Sequence, residues 1–409
     1  MSSVVAIVKE DKVGGSPAHT SQERLEKIKD MIIKGFNLCG GIEQVIRPGD
    51  KVFIKPNLVS PQDPDLGTVT DPGVIGALVC LAKDAGARRV FVGENPALVK
   101  ARVAFVETGT QDVVEKMGGE CCYLDEESYI ECLNHEAKIL NRVHLPKKLL
   151  EADVFISVPK IKTHIMTFLT LGIKNSLGLL REEDKKLRYH SESLHYKLVD
   201  LLYHRKPDFV IEDGIVAAEG QGPICPEVVK MNLLVFSSDV VAADAVASVI
   251  AGFQPEEITT TRLAGALGLG NSNMEDMEIK GSPIASVRRV FKRPVYSPIG
   301  YSPRIEVYAG GACVPCMGIL SSTLEMCKKE GVIDIAENCT FLIGTNPPIP
   351  SKLREKVVVI GDCAERHKDL GIFVPGCPPI PALKILKALG YLPEWAKSFF
   401  EKDVDKTID

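Results

Sequence analysis

A chain of 409 residues has room for two or three domains, and its 45% hydrophobic and 25% charged residues are ordinary for globular protein. Its net charge of −5 gives no electrostatic reason to expect a nucleic-acid partner. No apolar run reaches the ~18 residues of a membrane span, since the longest, Ile165–Leu180, is interrupted by Lys174 and Asn175.

The opening "MSSVVAIVKEDKVGG" lacks the basic, apolar and cleavage regions of a signal peptide. Without that signal, the 12 cysteines point to a reducing cytoplasm and a metal or redox role, not to a disulfide scaffold.

In chain order, the patterns predict a helix over Gln22–Phe36, a strand at 51–55 (KVFIK) and a helix over Pro72–Ala85. A strand at 88–93 and a helix over Gln111–Met117 follow, then a strand at 153–158 and a helix over Ser193–His204. Strands at 208–212 and 232–236 precede a helix over Val240–Ala251. Most of these strands are apolar on both faces, as strands covered by helices on each side must be. The alternation predicts an α/β fold with a largely parallel sheet. Prolines and positive charges crowd residues 280–307, which mark a boundary or bridging segment. The expected domains are residues 1–290, a large α/β domain, and 291–409, a small cysteine-rich α/β module. In the module a helix is expected at Gly318–Glu330, strands at 339–344 and 356–362, and a helix at Pro379–Leu389.

The module carries "CVPC". Cys313 and Cys316 precede a helix, Cys363 follows a strand, and Cys377 precedes a helix whose prolines suit a first turn. Strand C-termini and helix N-termini share one edge of a parallel sheet, so these four thiols converge. Cys327 and Cys339 fall at the opposite edge. Four thiolates suit a [4Fe–4S] cluster, one for each iron, and helix N-termini favour its negative charge. Zinc prefers two close pairs, and a CxxC dithiol leaves Cys363 and Cys377 unused. Simply buried cysteines are the remaining alternative.

In the large domain the polar residues gather at the same kind of edge. "PKIKTH" supplies Lys160, Lys162 and His164, "GIKNSLG" adds Lys174 and Asn175, and Lys55 and Asn57 follow the strand at 51–55. Together they suggest a cationic pocket for a phosphate, carboxylate or thioester. Lys160, Lys162, His164 and Asp213 are the catalytic candidates; Lys55, Asn57, Lys174, Asn175 and Glu219 are the substrate-binding candidates. Asp71 and Asp239 read as helix caps, and Asp244, one turn inside an apolar helix, needs a partner or ligand. His190, His195 and His204 read as surface or packing residues. "GALGLGNS" follows a helix and so is no nucleotide fingerprint.

The ordered set "KPNLVSP", "TVTDPGVIGALV", "AGARRVFVGENP", "DVFISVPKIKTHIMTFLTLGIKNSLG", "DGIVAAEGQGP" and "SDVVAADAVA" resembles the family called domain of unknown function 362, over roughly residues 50 to 270. The resemblance implies an α/β domain often coupled to iron–sulfur modules and associated with anaerobic metabolism. Many members end in a ferredoxin-like C-x₂-C-x₂-C-x₃-C-P run, which this chain lacks. Its "GDC…GCPP" tail is instead similar to the cluster-binding α/β modules of hydrogenase and quinone-reductase small subunits. The expected function is an iron–sulfur oxidoreductase or electron-transfer component acting with an acidic metabolite or a redox-protein partner. The alternatives are a non-redox metal-dependent enzyme with a structural cluster, and a cluster or metal maturation protein.

Overall fold

Strand β1 (Ser3–Lys9) alternates its side chains between two cores, Ala6 and Val8 on one side and Val5 and Ile7 on the other. The same holds for β2 (Lys51–Pro56), where Val52 and Ile54 face one core and Phe53 another. In this computed structural model, which describes residues 2–96, 99–186, 191–223, 225–379 and 382–393, both faces of the sheet are therefore covered. Helices Gln22–Leu38 and Pro72–Asp84 pack on one face. Helix Val240–Ile250 and Leu201 of helix Ser191–His204 pack on the other. Two-sided burial is what makes the strands read as continuous apolar runs.

The other strands of this sheet are β3 (Arg89–Glu94), β4 (Glu120–Tyr123), β7 (Val154–Val158), β8 (Lys160–His164), β9 (Phe168–Thr170), β10 (Phe209–Gln221), β11 (Cys225–Ser237) and β12 (Met277–Gly281). β5 (Tyr129–Leu133) and β6 (Arg142–Pro146) form a separate hairpin. The ten-stranded sheet runs β12-β1-β11-β10-β7-β2-β3-β4, with β8 on β10 and β9 on β8. Six of its pairings are parallel; β1·β11, β10·β11 and β8·β9 are antiparallel. The fold is mixed α/β with a mostly parallel central sheet.

Three segments depart from the sequence reading. "PKIKTH" and "DGIVAAEGQGP" are strands, not loops: β10 continues past Glu212 to Gln221, and β8 lies alongside it. Pro159, with no N–H to give a ladder, separates β7 from β8, while its carbonyl accepts the N–H of Asp213 at 2.9 Å. β11 likewise begins at Cys225, before the expected start.

The chain folds as two compact units, the first ending at Lys292 and the second taking the residues from Arg293 on. The second unit has a four-stranded, all-parallel sheet in the order β13 (Glu306–Ala309), β14 (Cys339–Ile343), β15 (Lys356–Ile360), β16 (Ile372–Val374). The expected two strands are its two central ones. The edge strands β13 and β16 are short and half-exposed, so neither shows an apolar run. Helix Val314–Lys329 starts before the expected position, and a helix covers Leu383–Leu389; residues 380 and 381 of the expected last helix lie outside the described residues. Among the described residues no helix is long and apolar enough to cross a membrane.

Candidate functional site

The C-terminal ends of β2, β3 and β7, together with β8 and β10, build a buried polar centre. Lys55, Lys160 and Lys162 are all but inaccessible, at 0%, 0% and 1% exposure. An ammonium in such surroundings needs an opposite charge or must give up its proton. Lys55 has Glu94, whose Oε2 accepts from its Nζ at 2.7 Å, and Lys160 has Asp213 Oδ2 at 2.7 Å. Among the described residues Lys162 has only neutral acceptors, Asn57 Oδ1 at 2.8 Å and the Thr68 carbonyl. The ammonium of half-buried Lys174 makes no hydrogen bond among the described residues and feels Glu94 only at a distance.

The charge states follow. Burial, opposed by Glu94, lowers Lys55. Burial, then the positive charges of Lys174 and Lys160, holds Lys162 well below the usual ammonium range. Lys174 is pushed down by burial to about 8. His164 is held well below the usual imidazole range by burial, Lys174 and Lys162. Its Nδ1 accepts the N–H of Met166 at 3.0 Å, so the neutral ring keeps its proton on Nε2.

Two asparagines tie the centre together. Asn57 Nδ2 donates to Asn175 Oδ1 at 3.2 Å, and Asn175 Nδ2 donates to the Lys55 carbonyl and Ser157 Oγ, both at 3.0 Å. The buried hydroxyls of Thr68, Thr170 and Ser176 have no hydrogen-bond partner among the described residues, and Thr170 is the cross-strand partner of Lys162. Buried polar atoms without partners are rare and call for an explanation, an ordered water or a ligand among them.

Of the candidate residues, the structure joins Lys55, Asn57, Lys160, Lys162, Lys174, Asn175 and Asp213 through these bonds and charges, with His164 beside Lys162 and Lys174. Asp213 is also saturated, accepting the Asp71 N–H at 2.8 Å and the Ile215 N–H at 3.0 Å. Burial raises its carboxyl, and Lys160 opposes that. Glu219 is not joined to the centre. It sits further along β10, and its carboxylate accepts from Arg289 at 3.3 Å and the Lys292 N–H at 3.0 Å.

Asp71 caps its helix through the Gly73 N–H and pairs with buried Arg24; Asp239 caps its helix through Val241 and Ala242. Asp244 finds its partners in the N–H groups of Gly172 (2.8 Å) and Ile173 (3.2 Å) and in the carboxyl of Glu212. His195 is lowered to about 4 by burial, His204 Nε2 lies 2.6 Å from the Leu140 carbonyl, and His190 lies outside the described residues. Glu94 escaped the sequence reading. Its signal was a carboxylate closing an apolar strand on the edge that carries the lysines; it also accepts the N–H of Leu58 at 3.0 Å.

In the second unit, Cys313 caps helix Val314–Lys329 and Cys316 lies in its first turn. Cys363 follows β15 and Cys377 follows β16. Because all four strands run parallel, these positions share one edge. The Cys316 thiol is hydrogen-bonded with Cys313, and that bond, burial and the nearby Cys377 and Cys363 drive it far above the usual thiol range. Cys377 is pushed up to about 11 by burial, then by Cys363 and Cys313. A Cβ added to Gly361, at the end of β15, would meet Cys316 Sγ at 3.5 Å. Cys327 lies late in the helix, and Cys339 opens β14 with Sγ against the Ile335 carbonyl at 3.5 Å. Among the described residues no three His, Cys, Asp or Glu side chains are grouped to hold a single metal ion.

A thylakoid-associated protein of Synechocystis sp. is 32% identical over 250 residues, covering 58% of this chain and 74% of that protein. A crystal structure of a Thermotoga maritima protein is similar at a TM-score of 0.38 and 11% identity, covering 87% of this chain and 92% of the other. The lactate racemase apoprotein from Thermoanaerobacterium thermosaccharolyticum gives 0.37 and 10%, covering 94% and 90%. The model of the domain of unknown function DUF362 matches residues 52–249, the span holding every member of the lysine centre, and the chain belongs to that family.

Proposed function

We propose that this protein is an iron–sulfur oxidoreductase or electron-transfer component, acting in the cytoplasm on an acidic small molecule or with a redox-protein partner. Cys313, Cys316, Cys363 and Cys377 would hold a [4Fe–4S] cluster. The observation that supports the reading is the position of these four cysteines at one edge of the second, all-parallel sheet, with Cys313, Cys377 and Cys363 near enough to raise the Cys316 thiol. They fit the group. A cubane needs one thiolate for each of four irons, not several ligands on one ion. The cluster supplies one-electron chemistry.

The large domain's residues supply binding and proton handling. Lys162 and Lys174 attract the acid, Lys55 stays paired with Glu94, Asn57 and Asn175 hold these lysines in place, and His164 offers a neutral Nε2–H donor. Lys162, whose proton is loosened by burial and by the neighbouring lysines, is the group placed to move a proton.

Anaerobic purification followed by dithionite titration, read by absorbance and electron paramagnetic resonance, tests the redox reading. A brown protein that bleaches, gains a paramagnetic signal and recovers on reoxidation is the expected result. A colourless zinc protein overturns it, and an iron–sulfur chromophore inert to reduction leaves a structural cluster in a non-redox enzyme.

A further inference from the structure

Inside the lysine centre four ammonium groups meet two carboxylates. Glu94 is committed to Lys55 and Asp213 to Lys160, each at 2.7 Å. Lys162 and Lys174 are left without a carboxylate in hydrogen-bond range among the described residues, and together they form the uncompensated part of the site.

The neighbouring hydrogen-bond capacity is equally incomplete. Lys162 has three N–H donors and two neutral acceptors, Asn57 Oδ1 and the Thr68 carbonyl. Thr68, whose carbonyl it meets, and Thr170, its cross-strand neighbour, carry hydroxyls with no partner among the described residues. Lys174, half-buried, is the member of the set that reaches solvent.

We propose that the site takes a ligand with two negative charges, a phosphate monoester or a dicarboxylate, one charge answering Lys162 and the other Lys174, with the Thr68 and Thr170 hydroxyls donating to its oxygens. This deepens the acidic-ligand reading above and rests on it, but it is independent of the cluster. The depressed proton affinity of both lysines agrees with it, because a dianion restores the charge that burial and the neighbouring lysines remove.

Isothermal titration calorimetry on the full chain with succinate, inorganic phosphate and acetate at pH 8 tests the proposal. Succinate or phosphate is expected to bind at least tenfold more tightly than acetate, and which of the two wins identifies the ligand class. Lys162→Met and Lys174→Met should each weaken that binding tenfold or more, about 1.4 kcal/mol. Lys34→Ala, on the exposed face of helix Gln22–Leu38, should leave it unchanged. Methionine keeps the volume of the lysine stem, and if Lys162→Met does not fold, Lys174→Met carries the test. Acetate binding as tightly as the dianions, or dianions held equally by both variants, overturns the charge count alone. If none of the three anions binds, the acidic-ligand reading beneath it falls as well.

Discussion

Glu212 and Asp244 share a fully buried space beside the N–H groups that open the segment bearing Lys174 and Asn175. Burial and then Asp244 raise Glu212 well above the carboxyl range, and burial raises Asp244 to about 7. A carboxyl raised from 3.8 to about 7 binds its proton more tightly in the folded state. Its contribution is therefore fully present below the unfolded value near 4, and is lost as pH rises through about 7. Glu212→Gln mimics the protonated partner while keeping an acceptor for the Gly172 N–H. It should raise stability at pH 8 by on the order of 1 kcal/mol and flatten the pH dependence between 5 and 8. Denaturant unfolding across that range checks this, and a variant less stable than its parent at pH 8 contradicts it. The need for a partner at Asp244 was legible in an apolar helix carrying one carboxylate. That Glu212 would supply it was not, because only the sheet brings the two together.

At the scale of elements, what was legible followed from two-sided burial. The strands at 51–55, 88–93 and 153–158 and the helices between them stand where the apolar patterns put them. β8 and the outer part of β10 did not read as strands because lysines and glycines normally signal loops. Here the lysines are buried with partners, so local composition yields to long-range pairing. The lysines still gather at one edge, and Glu219 stands apart because β10 carries it further along, where Arg289 and the Lys292 N–H take its carboxylate. The segment after Lys174 also lies directly on the ion pair. A Cβ added to Gly178 would come 1.8 Å from Glu94 Oε1 and 2.8 Å from Lys55 Nζ. Gly178→Ala should therefore force Glu94 and Lys55 apart and cost about 1–3 kcal/mol, as overpacking does. Thermal unfolding reads the effect; an unchanged melting temperature would mean that the backbone over the pair gives way freely.

For the whole molecule, a large domain with a charged interior and a small domain with a cysteine edge make two chemically distinct centres on one chain. The small domain's edge was the more legible of the two, because parallel strands fix which loops share a side whatever the loops contain. Cys313, Cys316, Cys363 and Cys377 fall on that side, while Cys327 and Cys339 do not. The account's central claim is that the first four together hold one cluster. Its most direct test is iron and sulfide per chain in anaerobically reconstituted protein, across single Cys→Ser replacements of all six. The parent, Cys327→Ser and Cys339→Ser should each hold about four irons and four sulfides, and replacement of any of the other four should lower both together. Full iron and sulfide in Cys363→Ser or Cys377→Ser, or their loss in Cys327→Ser with the fold intact, would contradict the claim.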